Sequence, residues 1–302
     1  MRIVTRPDFD GIVCAVVIQA AMGPELPILW IEPNDIQSGT APIEAGDIIA
    51  NLPYDSRCTT WFDHHVSNRP KNDFDGRFEV APSAAGVAYH YYKQKNLLNR
   101  DFDELIFHTD KIDSADLTEE EVLYPERHPY ILLSMTIQNH GNSDKAYWNK
   151  LVEFLRTSDI DTVMTDPEVQ KRCGRVIEQN KTFASALESH TRIDGHISIT
   201  DFRELATVPS GNRFLTYSMF PQTAVSMKIR YKSLEKKYVL LSIGKSIFNS
   251  QCRVNIGKLL SRFGGGGHDG AGGCTLEAAG APEAIDRILE ILRANAPEKE
   301  PV

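Results

Sequence analysis

Four short apolar runs near the N-terminus, residues 2–5, 28–31, 48–52 and 60–62, constrain this chain most. Each reads as a short buried strand. The stretches 12–22 and 84–92 read as helices, the second with Ser83 as its N-cap. Strands alternating with helices predict an α/β domain whose sheet is largely parallel, with helices on both faces. In such sheets ligands collect beyond the carboxyl ends of the strands. Asp8-Phe9-Asp10-Gly11, on a predicted loop after the first strand, and Asp63-His64-His65, after the fourth, therefore meet at one edge.

Residues 130–190 read as helical and polar, ending in one long helix over 167–190. Beyond it the pattern changes. Residues 196–200, 214–219, 224–231 and 238–243 alternate as strands do. Asn255 caps a helix carrying Ile256, Leu259, Leu260 and Phe263 at one face, and Gly264 to Gly267 stop it. A last helix starts near Pro282, with Ile285, Ile288, Leu289 and Leu292 on one side. The boundary is placed near residue 190, between an N-terminal α/β domain (1–190) and a smaller C-terminal α+β domain (191–302).

The net charge of -8 argues against a broad electrostatic grip on duplex nucleic acid. No apolar run is long enough to span a membrane. The N-terminus lacks the pattern of a secretory signal, and five scattered cysteines with no Cys-x-x-Cys pair read as reduced thiols, so a cytoplasmic protein is expected.

Asp8 and Asp10 would repel each other in one cleft unless a cation is present; an Asp-rich turn is the bland alternative. Carboxylates mixed with imidazole suit Mn²⁺, Mg²⁺ or Fe²⁺ better than a thiolate site would. A surface histidine pair is the alternative for His64 and His65. The strand-like residues ahead of them favour a buried mouth. The segment Gly264-Gly265-Gly266-Gly267-His268-Asp269-Gly270-Ala271-Gly272-Gly273 can bring backbone N–H groups close to an anion, a linker being the weaker reading. Arg253 can pair with a phosphate bidentately.

Asp8-Phe9-Asp10-Gly11, Phe62-Asp63-His64-His65 and the glycine-rich Gly264–Gly273 segment, in that order over almost the whole chain, resemble the DHH phosphoesterase superfamily with its associated C-terminal domain. The resemblance implies a metal-dependent hydrolase of phosphoester or phosphoanhydride bonds, related to nanoRNA phosphatases, cyclic-dinucleotide phosphodiesterases and exopolyphosphatases. It implies that a cleft separates the two domains. It assigns Asp8, Asp10 and His64 to metal, places His65 beside the scissile phosphate, and makes Asp63 an orienting partner. Asp110, after a predicted strand at 105–109, is the expected further ligand, with Asp113 as the alternative. Arg253, Gly265, Gly266, Gly267 and His268 match positions that grip substrate.

Two departures qualify the resemblance. Val4 stands where many members carry a histidine, and Asn51 where an aspartate bridges two metals, with Asp55 as a substitute if the loop folds back. Asn51 offers one neutral oxygen, so one tight and one weak Mn²⁺ (or Mg²⁺) position are expected. The expected partner is a small phosphate-bearing substrate: a short single-stranded oligonucleotide, a nucleotide bisphosphate or a short polyphosphate. A non-catalytic nucleotide sensor is the competing class. Sequence leaves the oligomeric state open, a homodimer included.

Overall fold

In a computed structural model describing residues 1–70, 73–137 and 144–297, the N-terminal runs form the expected strands. The order is β1 (Ile3–Thr5), α1 (Phe9–Met22), β2 (Ile28–Trp30), α2 (Pro33–Gln37), β3 (Ile48–Ala50), β4 (Thr60–Asp63), β5 (Gly76–Phe78), α3 (Ala84–Gln94) and α4 (Asp103–Asp113). Then come α5 (Glu119–Leu123), α6 (Pro129–Met135), α7 (Lys145–Thr157), α8 (Ile160–Met164) and the long α9 (Pro167–His190). The chain divides into two compact units: Met1–Leu117 with Pro125–Arg175, and Thr118–Tyr124 with Val176–Val302. The division falls inside α9, ahead of the pattern change near residue 190.

In the first unit five strands form one sheet in the order β2-β1-β3-β4-β5, every pairing parallel. Strands covered on both faces carry apolar residues without a break, as Ile48-Ile49-Ala50 does. Val4, Ile49 and Trp61 lie in register and point to one face, where Ile36 of α2 and the loop residues Ala41, Ile43, Leu52 and Tyr54 cover them. Helices α1 and α3 pack on the sheet from the first unit's interior. From Phe9 to Gln19 every residue of α1 is buried, as a helix enclosed by sheet and further helices must be.

Arg2 ties the start of β1 to the start of β3. Asp47, 1% exposed, accepts from Arg2 Nε at 3.0 Å and Nη2 at 2.7 Å, and from Glu44 N at 2.9 Å. Burial works to raise the Asp47 carboxyl. The Arg2 and Glu44 bonds outweigh it and hold the group below its ordinary range. Arg2→Met, which strands a buried charge, is expected to cost about 2–4 kcal/mol. Because the folded pKa is depressed, the pair's contribution is present above about pH 4 and lost as pH falls through the lowered value. Denaturant titrations of both proteins check this: the gap between them should be full at pH 7 and shrink in acid.

In the second unit follow β6 (Thr191–Asp194), β7 (Ile197–Asp201), α10 (Leu215–Met219), β8 (Val225–Tyr231), β9 (Tyr238–Lys245), α11 (Ile256–Ser261), β10 (Gly266–Gly267), β11 (Ala271–Glu277) and α12 (Ala281–Ala294). Its mixed sheet runs β10-β11-β9-β8-β7-β6, with only β7 and β8 parallel. Ile199, Met227, Ile229, Leu241 and Ile243 form its core with Ile285, Ile288, Leu289 and Leu292 of α12.

Three local expectations are corrected. Asp8 and Asp10 do not share a loop: α1 begins at Phe9, with Asp8 as its N-cap. Residues 105–109 are helical within α4, whose buried Leu105, Ile106 and Thr109 follow a helical face and whose first turn carries Asp103 and Glu104. Residues 214–219 are mostly the helix α10. Short apolar runs do not separate strand from helix by periodicity alone.

Candidate active site

Strands β1, β3 and β4 end side by side, and the residues just beyond them carry the chemistry. Asp8 caps α1, its Oδ1 accepting from Gly11 N at 2.9 Å. In the first turn of α1, Asp10 points at the N-terminus of α3. Its carboxylate accepts from Ala84 N at 3.0 Å and Ala85 N at 2.8 Å. Those N–H groups are among the donors a helix leaves unpaired at its start, and the helix dipole there favours an anion. Ser83 caps the same helix, accepting from Gly86 N at 2.9 Å.

His64 follows β4. Its Nδ1 lies 2.9 Å from the Ala81 carbonyl, which selects the tautomer with hydrogen on Nδ1 and leaves Nε2 as a lone-pair donor. Nε2 is buried without a hydrogen-bond partner, 3.3 Å from Asp113 Oδ2 and 3.9 Å from Asp10 Oδ2. Among the described residues, Asp10, His64 and Asp113 form one group with one ligand atom each within 4.8 Å of the others. A buried imidazole lone pair facing two carboxylates has no favourable partner except a proton or a cation. Asp10 feels the same conflict. Burial, then the charges of Asp113 and Asp8, push its carboxyl well above the ordinary value despite the two N–H bonds. Burial likewise raises Asp8, to about 6, against the pull of Arg6. This donor set fits a divalent cation such as Mn²⁺ or Mg²⁺.

Asp63 is fully buried and saturated. Oδ1 accepts from His64 N at 2.8 Å, His65 N at 3.3 Å and His65 Nδ1 at 2.8 Å, and Oδ2 from Asn68 Nδ2 at 2.7 Å. His65 is thereby fixed, with 43% of its side chain exposed. The bond to Asp63 raises its pKa above the ordinary histidine value, although burial opposes this. A cationic imidazole held by a carboxylate can steady a phosphate's charge or give a proton to a leaving oxygen.

The alternatives left open by the sequence have different partners in the structure. Asp110 faces Ser83, whose Oγ donates to it at 2.5 Å, and burial raises its pKa; Asp113, one turn on along α4, meets His64. Asp55 is turned to Arg57, which donates from Nε at 2.8 Å and Nη2 at 2.6 Å. Asn51, 3% exposed, directs its amide nitrogen to Asp8 Oδ1 at 2.9 Å. Arg6, Ser83 and Asn68 were not foreseen as site residues. Arg6 had one signal, a cation two residues before the first aspartate.

Arg253 and His268 stand exposed on the second unit. There the glycines make a tight hairpin. Gly265 N donates to Leu260 O at 2.9 Å, His268 N to Ala271 O at 2.8 Å, and His268 O accepts from Gly257 N at 2.8 Å. These groups are spent inside the fold. A Cβ on Gly257 would lie 2.4 Å from the Gly267 carbonyl, so close backbone packing already demands glycine there.

The fold is shared with known proteins. The chain is 31% identical to a pGpG-specific phosphodiesterase, PggH, from Vibrio cholerae, with a TM-score of 0.87 over 98% of this chain and 99% of that one. RecJ from Thermus thermophilus, solved with Mn²⁺, matches at 12% identity and TM-score 0.57 over all of this chain and 52% of RecJ. An exopolyphosphatase-related protein from Bacteroides fragilis matches at 12% identity and 0.57, over 97% of this chain and 92% of that one. The latter two show the fold alone. No protein-family model and no curated protein sequence matches the chain. The chain belongs to the DHH phosphoesterase family, a class of metal-dependent hydrolases. Among the described residues no helix is long and apolar enough to cross a membrane.

Proposed function

We propose that this phosphoesterase cleaves a short linear dinucleotide of the pGpG kind, with Asp10, His64 and Asp113 holding one Mn²⁺ or Mg²⁺ ion. The observation that carries the reading is His64 Nε2, buried and unpartnered between two carboxylates. The full-length similarity to PggH supports the substrate class. A divalent cation supplies Lewis-acid polarisation of a phosphoryl group and acidifies water. The chain's own residues do the rest. Asp10 is aimed by the α3 N-terminus, and Ala81 fixes the His64 tautomer. Asp63 locks His65 so that its exposed ring edge can donate to a phosphate or leaving oxygen. Arg253 and His268, exposed on the second unit, are proposed as phosphate- or nucleotide-binding groups.

Turnover of pGpG, longer oligonucleotides, a nucleotide bisphosphate and polyphosphate in Mn²⁺ tests this. GMP release from pGpG is expected to exceed turnover of the others. His65→Ala should lower kcat by about 10²–10⁴-fold with a smaller change in KM. Phosphate release from polyphosphate alone would instead identify an exopolyphosphatase. No turnover, with nucleotide binding that survives His65→Ala, would mark a sensor.

A further inference from the structure

The proposed metal position uses Asp10, His64 and Asp113 and leaves Asp8 over. Protein donors already surround Asp8. Oδ1 accepts from Gly11 N and from Asn51 Nδ2, each at 2.9 Å, and Oδ2 lies 3.3 Å from Arg6 Nε. An ionised carboxylate only accepts, so the Asn51 amide must present its nitrogen there and not a ligating oxygen. Asn51 is held in that pose. Its backbone is left-handed at φ 57, and its N–H donates to Phe62 O at 3.1 Å, joining the end of β3 to β4. Val4, a hydrocarbon side chain, offers no ligand atom and packs in the apolar cluster with Ile49 and Trp61.

Arg6 lies between two carboxylates, its Nε 3.3 Å from Asp8 Oδ2 and 3.6 Å from Glu32 Oε2, with 39% of its side chain exposed. We infer that the Arg6 guanidinium, ion-paired with Asp8 and Glu32, stands in place of a second metal ion beside an Asp8 already occupied by Asn51, and that Arg6 is a fixed cation for the substrate's phosphate beside the single metal. The inference rests on the metal position proposed above. Both carboxylates approach Arg6 at Nε. That arrangement spares the planar fork of terminal nitrogens, which matches two phosphate oxygens. An organic cation here places positive charge beside Asp8 without needing the bridging aspartate that Asn51 replaces.

Mn²⁺ counting by native mass spectrometry and GMP binding by calorimetry, on the full chain, test it. The unsubstituted protein is expected to take up one Mn²⁺. Arg6→Gln should still take up one, which shows the fold and metal position intact. In the presence of Mn²⁺ it should bind GMP about 10- to 100-fold more weakly. Arg6→Lys should recover part of that loss. Two Mn²⁺ ions of comparable affinity on the unsubstituted protein, or unchanged GMP affinity in Arg6→Gln, would overturn the inference and leave the function reading standing. No Mn²⁺ uptake at all would overturn both.

Discussion

His64→Ala is expected to abolish Mn²⁺ uptake and to lower phosphoesterase turnover by roughly 10³–10⁵-fold, several kcal/mol of transition-state stabilisation. His64 contributes the one neutral nitrogen of the cluster, and it belongs to a loop that β4 and the Ala81 carbonyl hold in place. Removing the ring leaves Asp10 and Asp113 without the third donor. Thermal unfolding separates this from misfolding. Saturating Mn²⁺ should raise the midpoint of the unsubstituted protein by roughly 5–10 °C, the shift expected for ligand at about a hundredfold its Kd, and should leave that of the variant unmoved. The shift must also depend on pH. Burial raises Asp8 to about 6 and, with the charges of Asp113 and Asp8, lifts Asp10 well above its ordinary value. A raised carboxyl stabilises the metal-free fold fully below its unfolded pKa near 4, and that contribution is lost as pH rises through the folded value. A cation replaces the lost proton, so the Mn²⁺ effect should be large at pH 8 and small at pH 5. Equal Mn²⁺ shifts in His64→Ala and the unsubstituted protein would place the metal elsewhere.

Gly11→Ala is expected to destroy folding of the first unit, by more than about 4 kcal/mol, although alanine is a better helix former than glycine. An added Cβ would stand 1.9 Å from the Arg6 carbonyl and 2.8 Å from Thr5 Oγ1. Neither neighbour can retreat cheaply. Thr5 is fully buried and its hydroxyl donates to Gly11 O at 3.2 Å, while Arg6 O accepts from Asp8 N at 3.0 Å. The close approach of α1 to the end of β1 also sets where Arg6, Asp8 and Asp10 sit. Gly174→Ala in α9 is the matched control. Its Cβ would meet nothing within 4 Å, so helix propensity alone predicts about 0.5–1 kcal/mol of stabilisation. Circular dichroism melts of the two variants should move in opposite directions. A cooperative, near-normal melt for Gly11→Ala would show that the β1–α1 junction yields.

How far the sequence was legible follows from the range of the forces involved. Buried parallel strands declare themselves by unbroken apolar runs, so β1 to β4 were found within a residue or two. The caps Ser83 and Asn255 were equally readable, because capping is a contact with N–H groups two or three residues away. The segments at 105–109 and 214–219 were misread, since runs that short satisfy both periods and packing decides between them. The glycine-rich segment was legible as a place of close approach. What approaches there is the fold's own backbone, Gly257 against Gly267, which no local pattern could announce.

By itself the sequence determined the family, the parallel sheet, and the arrival of Asp10 and His64 beyond the ends of two strands at one edge of that sheet, β1 and β4 with β3 between them. The family rests on the order of the motifs, and the sheet on unbroken apolar runs that alternate with helical segments. Only the tertiary structure chose Asp113 over Asp110 beside His64. The two lie three residues apart on α4, about 4.5 Å along its axis. Which one reaches His64 depends on how α4 seats against α1 and α3, and helix seating is set by side chains distant in sequence. Only the tertiary structure, likewise, brought the Asn51 amide across 43 residues to Asp8, where Arg6 already stood. A carboxylate's partner is whatever donor the packed chain delivers to it, and its own neighbours in sequence do not decide whether that is an amide, a guanidinium or a metal ion.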